Sequence, residues 1–175
     1  MEISNNKTEK KDQLIKEIEK KLQEKLSLYN ELINVLELEA GYIVKMDTSS
    51  LWAASSRKKE IASSIEKLRK TVLSILDSRN IDHEMDSRHF SLAKLIEILP
   101  LNAKDKAQLE NSRVALEICK MSIKQRIESN KKSIQEYSGV IDGVISTVTG
   151  SSGNKVYGRQ GISRATPSFY GSKVS

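Results

Sequence analysis

Residues 9–46, EKKDQLIKEIEKKLQEKLSLYNELINVLELEAGYIVKM, decide the fold of this chain. Within them apolar side chains recur every three or four residues, which is the spacing of one face of a long α-helix. Four further apolar residues widen this stripe, so we expect the helix to pack against more than one neighbour. The stripe consists of Ile15, Ile18, Leu22, Leu26, Tyr29, Ile33, Leu36, Ala40 and Ile43, widened by Leu14, Leu28, Leu32 and Val35.

A second helix is predicted after a polar break at residues 47–50. Asp47 or Thr48 can cap it, although the pattern also allows the first helix to continue through the break. Residues 77–86 are polar and are expected to form a connection. The apolar positions of this helix are Leu51, Ala54, Ile61, Ile65, Leu68, Val72 and Ile75.

A short helix and a last long helix complete the pattern. Ser91 can cap the short helix, which Pro100 stops. Asn102 and Asp105 then resemble a capping pair for the last helix. Its stripe positions are Leu109, Leu116, Cys119, Ile123, Ile127, Asn130, Ile134, Tyr137, Ile141, Val144 and Val148.

These patterns predict an all-α fold. We expect an elongated antiparallel helical bundle or coiled coil of three long helices and one short helix, followed by a flexible C-terminal tail. Residues 1–8 are expected to be disordered, and residues 9–149 to form the helical bundle domain. Residues 150–175 are expected to form a flexible basic tail, because Ser, Gly, Lys and Arg dominate there without periodicity.

The net charge of +6 does not indicate a nucleic-acid partner. No acidic residue follows Asp142, so four of the positive charges lie in the tail, whereas the predicted helices mix both signs. Proteins that bind nucleic acids concentrate positive charge on one face. The four basic residues of the tail are Lys155, Arg159, Arg164 and Lys173.

No catalytic or metal site is predicted. Cys119 lies on an apolar stripe without a histidine nearby in the sequence, which favours a packing role. The cluster at residues 82–89 contains two histidines and three carboxylates, but its spacing matches no helical ligand pair and Arg88 lies among them. The sequence therefore predicts a protein that is not an enzyme and needs no cofactor.

The chain is expected to be cytoplasmic and not inserted in a membrane. Residues 1–12 are polar and charged, unlike a secretory signal. No stretch approaches the roughly 20 apolar residues that a bilayer requires. The single cysteine suits a reducing compartment.

The last helix contains the strongest candidate binding surface. Gly139 and Gly143 lower its stability by about 1 kcal/mol each relative to alanine. Its apolar face either packs on the first helix or receives a partner helix in the manner of helix-in-groove complexes. The candidate residues are Ile134, Tyr137, Val140, Ile141, Val144, Ile145 and Val148.

Asn130 occupies a stripe position where an apolar residue would stabilise more. A polar amide at such a site can fix the register of packed helices. Alternatively, the stripe tilts and Asn130 lies at its edge. Both interpretations stay open at this point.

The series Glu39, Ile43, Asp47, Leu51 and Lys59 resembles the N-terminal pattern of FlgN-like flagellar export chaperones. Asn130 with the apolar run after it, followed by the tail residues VYGRQG at 156–161, is similar to the C-terminal pattern of that family. The resemblance covers about residues 14–161. One departure is Ser133, which stands where a second asparagine is often expected.

The resemblance implies a small cytoplasmic helical chaperone that holds hook-associated, or hook–filament junction, proteins before type III export. By position, residues 134–148 would bind the cargo, and Tyr157 and Gly158 would dock on the export gate. The partners would thus be hook-associated flagellar proteins and the flagellar export gate, and the chain could also form a homo-oligomer. The first alternative is a general coiled-coil adaptor or scaffold protein. The second, less favoured by the sequence, is a basic helical protein that binds nucleic acid.

Overall fold

The computed structural model describes residues 2–86 and 88–149, with side chains described from Lys11 onward. This part of the chain is all-helical and contains four helices and no strand, as the sequence predicts. The helices are α1 (Glu2–Lys45), α2 (Thr48–Ser78), α3 (Leu92–Ile98) and α4 (Ala103–Thr149).

Helix α1 begins at Glu2, whereas the apolar periodicity predicted a start near Glu9. The difference has a simple physical origin. Nucleating a helix is costly, but each residue added to an existing helix gains one backbone hydrogen bond. A helix can therefore extend beyond the residues that pack, and apolar spacing does not mark such an end.

The break between α1 and α2 is a tight turn at Met46 and Asp47. Met46 has a φ of 53°, the left-handed conformation that often ends a helix. Its N–H donates to the Ile43 carbonyl, and the Asp47 N–H donates to the Tyr42 carbonyl, both at 3.0 Å. The Asp47 carboxylate then caps α2 by accepting from the Ser50 N–H at 3.0 Å. Hydrogen bonds from the Ser50 hydroxyl and N–H hold the pKa of Asp47 below its usual range.

The other helix ends also follow sequence signals. Asn80, with a φ of 53°, ends the turn after α2. Ser91 caps α3 by accepting from the Lys94 N–H at 3.4 Å. Asn102 caps α4 by accepting from the Asp105 N–H at 2.8 Å. The interruption at Asp47 and the caps at Ser91 and Asn102 are thus where the sequence predicted them.

Helices α1 and α2 pack against each other in antiparallel directions. The turn joins them directly, and ion pairs link them along their length. The two later residues of α1 pair with the first half of α2, and the earliest pairs just beyond its end, as antiparallel packing requires. The pairs are Glu17 with Arg79 at 3.9 Å, Glu31 with Arg57, and Glu39 with Lys58.

Helix α4 runs parallel to α1 through residues 119–130. The Cys119 thiol lies 3.6 Å from the Asn30 amide oxygen, and Arg126 forms an ion pair with Glu37 at 2.5 Å. Cys119 is half-buried, so it packs at the edge of the core rather than inside it.

One hydrophobic core joins α1, α2, α3 and the first part of α4. Its side chains are mostly aliphatic, in keeping with the two phenylalanines and one tryptophan of the sequence. The most completely buried members are Ile18, Leu22, Ile61, Leu76, Leu95 and Leu109.

The chain divides into two compact units, Met1–Glu136 and Tyr137–Ser175. The core lies in the first unit. Of the second unit the structure describes residues 137–149, which are helical and include no buried side chain. The predicted boundary at residues 149 and 150 stays a prediction, and the division by compactness falls earlier in the chain.

Candidate functional site

The C-terminal part of α4 exposes a series of large apolar side chains. They are about half exposed or more, although large aliphatic residues are usually among the most buried. Exposed apolar surface of this kind is a candidate interaction site. The exposed fractions are 49% for Ile134, 64% for Val140, 47% for Ile141, 58% for Val144, 50% for Ile145 and 80% for Val148.

These side chains lie mainly on one side of the helix. At about 100° per residue, Ile134, Ile141, Val144, Ile145 and Val148 fall within an arc of roughly 100°. Tyr137, which is half-buried, falls within the same arc. Val140 lies about 40° beyond its edge. The arrangement is the apolar stripe of an amphipathic helix.

Two glycines interrupt this part of α4 without a packing reason. A Cβ atom added at Gly139 or Gly143 would meet nothing within 4 Å. Thr147 also donates its hydroxyl to the Gly143 carbonyl at 2.8 Å, a local bond that slightly weakens a helix. The exposed stripe is therefore carried by a helical segment of low intrinsic stability.

Asn130 is buried at the contact of α4 with α1. Its side-chain amide donates to the Leu36 carbonyl at 2.9 Å and to the Glu39 carboxylate at 3.0 Å. Glu39 is itself buried and forms an ion pair with Lys58 of α2. One connected set of polar side chains therefore links the three long helices. A hydrogen bond of this kind forms only when the helices are correctly aligned along their axes.

Sequence reasoning named Glu39 in the family resemblance but did not predict its burial, and it did not single out Lys58. It placed Ala40 on the α1 stripe, but Ala40 is exposed and Glu39 is buried in its stead. It singled out Lys59, but Lys59 is exposed and Lys58 makes the ion pair. Leu36, Glu39 and Ile43 have the spacing of a helical stripe. Glu39 was not assigned to that stripe because its side chain is a carboxylate.

The two tail residues predicted to dock on the export gate, Tyr157 and Gly158, lie outside the described residues. The cluster at residues 82–89 places His83 Nε2 3.1 Å from Asp77 and His89 Nδ1 3.0 Å from Asp86. Within residues 11–86 and 88–149, whose side chains are described, no group of three or more His, Cys, Asp or Glu is arranged to hold a metal ion. Among the described helices, none combines the length and hydrophobicity needed to cross a bilayer.

A second set of exposed apolar residues surrounds the turn between α1 and α2. Trp52 is 75% exposed, and it is the only tryptophan of the chain. The sequence placed none of these residues on a stripe, and the helical period alone indicates that they face away from the core. The set consists of Leu38, Val44, Met46 and Trp52.

Residues 8–164 match the family model described as FlgN protein. No curated protein and no solved structure gives a significant match. The matched range includes all of α2, α3 and α4, nearly all of α1, and the exposed stripe. Because it covers most of the chain, this protein belongs to the FlgN family, a family of chaperones for the export of flagellar proteins.

Proposed function

We propose that this protein is a cytoplasmic flagellar type III export chaperone for hook-associated proteins. It binds the terminal helical segment of such a protein, prevents premature assembly, and delivers it to the export gate. Family membership supports the chaperone and export parts of this proposal. The observation that carries the cargo part is the exposed apolar stripe of α4 between Ile134 and Val148.

Covering this stripe with a partner helix supplies enough free energy for a specific complex. Fully burying a Val or Ile side chain contributes about 1.5–3 kcal/mol. The six exposed residues are on average about half-covered already, so burying the remainder contributes roughly 6 kcal/mol from this side alone. The partner contributes a similar area, and the cost of association and of ordering the helix offsets part of the total.

The spacing of the stripe suits a helical partner. Tyr137, Ile141, Val144 and Val148 alternate at intervals of four and three residues. This is the spacing at which side chains of one helix fit between those of another. An amphipathic segment that pairs only after subunit assembly needs such a surface while it is still a monomer, because exposed apolar stripes promote association.

The proposal is tested with full-length protein and a purified hook-associated subunit. Replacing Ile141 and Val144 together by glutamate places two charges in the contact. The matched control is Gln135→Glu, which adds negative charge on the opposite side of the same helix. Affinity is measured by calorimetry, with circular dichroism as the check that α4 remains helical.

We expect the double variant to bind at least tenfold more weakly, since each 1.4 kcal/mol lost is a factor of ten. Gln135→Glu is expected to bind as the unchanged protein does. Unchanged affinity of the double variant would show that the cargo surface lies elsewhere. Self-association through the stripe without cargo binding would instead favour the coiled-coil adaptor.

The export-gate part of the proposal concerns Tyr157 and Gly158. We expect a Tyr157→Ala variant to bind cargo normally but to deliver it poorly, because docking and cargo binding then use different residues. The measurement compares cargo affinity with the amount of hook-associated protein secreted by cells that carry the variant. Normal secretion would remove the assigned docking role of Tyr157.

A further inference from the structure

An open groove lies between α2 and α4 in the first unit, with α1 as its floor. It has a volume of about 530 Å³. Tyr29 and Leu32 of α1 line the floor, and Ala62 of α2 and Ile127 of α4 stand on opposite walls. The groove is separate in sequence from the exposed stripe at residues 134–148.

The groove is open because α4 is not covered there. Ile127 occupies a stripe position of α4 yet is 45% exposed, whereas Leu116 before it is 2% exposed and Asn130 after it 6%. On the α2 side the groove is lined by the buried Ile65, by Arg69 and by the exposed Ala62, whose side chain is only a methyl group. A small residue opposite a large apolar one leaves room for a side chain from another molecule.

The rim of the groove is basic. Arg69, Lys120 and Lys124 line it, and Glu128 is the one carboxylate among the lining residues. Arg69 and Lys120 have neighbours on their own helices, Glu66 at 3.3 Å and Glu117 at 2.5 Å. Such surface pairs are weak and do not prevent a new carboxylate from binding.

The pKa of Lys25, a residue close to Arg69 and Lys120, reflects the same local excess of positive charge. Lys25 is nearly buried, and its Nζ lies 5.7 Å from the ring centroid of Tyr29 in the groove floor. Burial, followed by the charges of Arg69 and Lys120, lowers the pKa of Lys25 to about 8. Glu117 acts in the opposite direction but is the smallest of these influences.

We propose that this groove is a second helix-binding site, specific for an amphipathic helix of a partner protein whose apolar stripe is flanked by Asp and Glu residues. The apolar floor and walls receive the stripe, and Arg69, Lys120 and Lys124 pair with the flanking carboxylates. The basic tail of this chain is a poor occupant, because after Asp142 it carries four positive charges and no negative one.

The size of the groove fits a short helical contact. Its α4 wall runs from Lys120 to Glu128, about two and a half turns and roughly 13 Å. Two or three apolar anchors of the partner helix can enter this length, which corresponds to micromolar rather than nanomolar binding. The inference does not rest on the proposed cargo site, since the groove uses different residues.

The test uses full-length protein and two designed helical peptides of about 16 residues. Both carry the same apolar stripe, flanked by glutamate in one and by lysine in the other, and both are matched for helicity. Binding is measured by fluorescence anisotropy at low and at moderate salt. We expect the acidic peptide to bind at least tenfold more tightly, with a difference that shrinks as salt rises. Equal binding of the two peptides would overturn the proposal.

Variants locate the site. Ala62→Trp fills the groove, Ile127→Glu removes an apolar wall, and Lys124→Glu reverses one rim charge; each is expected to weaken the acidic peptide at least fivefold. Two matched controls are expected to leave binding unchanged. Met121→Glu alters an exposed apolar residue elsewhere on α4, and Lys106→Glu alters an exposed lysine outside the groove. Undiminished binding by both Ala62→Trp and Ile127→Glu would overturn the assignment.

Failure of this inference is distinguishable from failure of the cargo proposal. The acidic peptide is expected to bind normally to the Ile141→Glu, Val144→Glu double variant. If that variant loses the peptide while the groove variants keep it, the peptide occupies the α4 stripe and the groove proposal is wrong. Cargo binding, measured separately, tests only the stripe.

Discussion

Lys25 holds an ammonium group in a nearly water-free position on α1. Its exposed fraction is 6%, and its Nζ lies 5.1 Å from the Phe90 ring centroid and 5.7 Å from that of Tyr29. The rings favour the cation, but burial and the positive neighbours Arg69 and Lys120 act against it and lower its pKa to about 8. The charged form is therefore held at a cost to the folded state.

This cost predicts a specific pH dependence. Because the pKa of Lys25 is about 8 when folded and about 10.5 when unfolded, the unfolded chain binds more protons between these values. The contribution of Lys25 to the free energy of unfolding therefore rises with pH from 8 to 10.5, by at most about 3 kcal/mol. We expect Lys25→Met to remove this rise and Lys124→Met to keep it, as measured by urea denaturation. A rise that persists in Lys25→Met would assign it to other groups.

The link between Asn130 and Glu39 predicts an energetic coupling. Asn130→Ala is expected to lower the free energy of unfolding by about 1–3 kcal/mol, because it removes two hydrogen bonds from a buried position. Combined with Glu39→Ala, the two losses are expected to differ from additivity by more than about 0.5 kcal/mol. A double-mutant cycle in urea measures this, and strict additivity would contradict a register role for Asn130.

At the scale of the helices, the turn at Met46 and Asp47 combines the end of α1 with the start of α2. Met46 adopts the left-handed conformation, which costs a non-glycine residue roughly 1–2 kcal/mol. The Met46 side chain is 53% exposed, so its packing contacts offset little of this conformational free energy. The turn is therefore conformationally strained at Met46 but well satisfied in its hydrogen bonds.

Met46→Gly is accordingly expected to stabilise the hairpin of α1 and α2. Relief of the left-handed conformation outweighs the greater freedom of glycine in the unfolded chain by roughly 0.5–1 kcal/mol. The control Asn80→Gly is expected to gain less, because asparagine tolerates this conformation. Thermal unfolding followed by circular dichroism measures both. A larger gain at Asn80 than at Met46 would contradict this explanation.

The helix ends and helix order could be predicted from the sequence, because they depend on local chemistry. Asp47, Ser91 and Asn102 are polar caps beside apolar periodic segments, and each caps a helix in the structure. The exposed face near the end of α4 was also predicted as a surface, although its cargo remains a proposal. Such features need only the spacing of residues within one element.

Features that depend on several helices could not be predicted. The burial of Glu39 depends on Asn130, which lies more than ninety positions further along the chain, and on Lys58 across the hairpin. The groove at Ile127 depends on Ala62 of another helix. Apolar periodicity assigns Ile127 to the core, because a period records which face a residue occupies and not whether a neighbour covers it.

At the scale of the whole molecule, the buried core lies in the first unit, and all of the proposed cargo surface except Ile134 lies in the second. The buried side chains belong to residues 14–130, and none of residues 137–149 is buried. A chain that ends at Glu136 is therefore expected to unfold with a free energy within about 1 kcal/mol of the full chain, by the scale of substitutions away from a core. A chain that ends at Glu128 also loses Asn130 and is expected to be less stable. Urea denaturation compares the three, and a large loss at Glu136 would contradict the division.

In the proposed cargo complex, Gly139 and Gly143 are expected to set how long the partner stays bound. Alanine at either position meets no neighbouring atom, so it would only stiffen the helix, by about 1 kcal/mol each. The helix would then already be ordered before the partner binds, so binding would cost less free energy. Dissociation of the complex is expected to slow by about fivefold for each substitution, as measured by stopped flow. A chaperone from which the cargo dissociates this slowly would release it too late for export. The two missing methyl groups thus favour fast hand-over rather than maximal affinity.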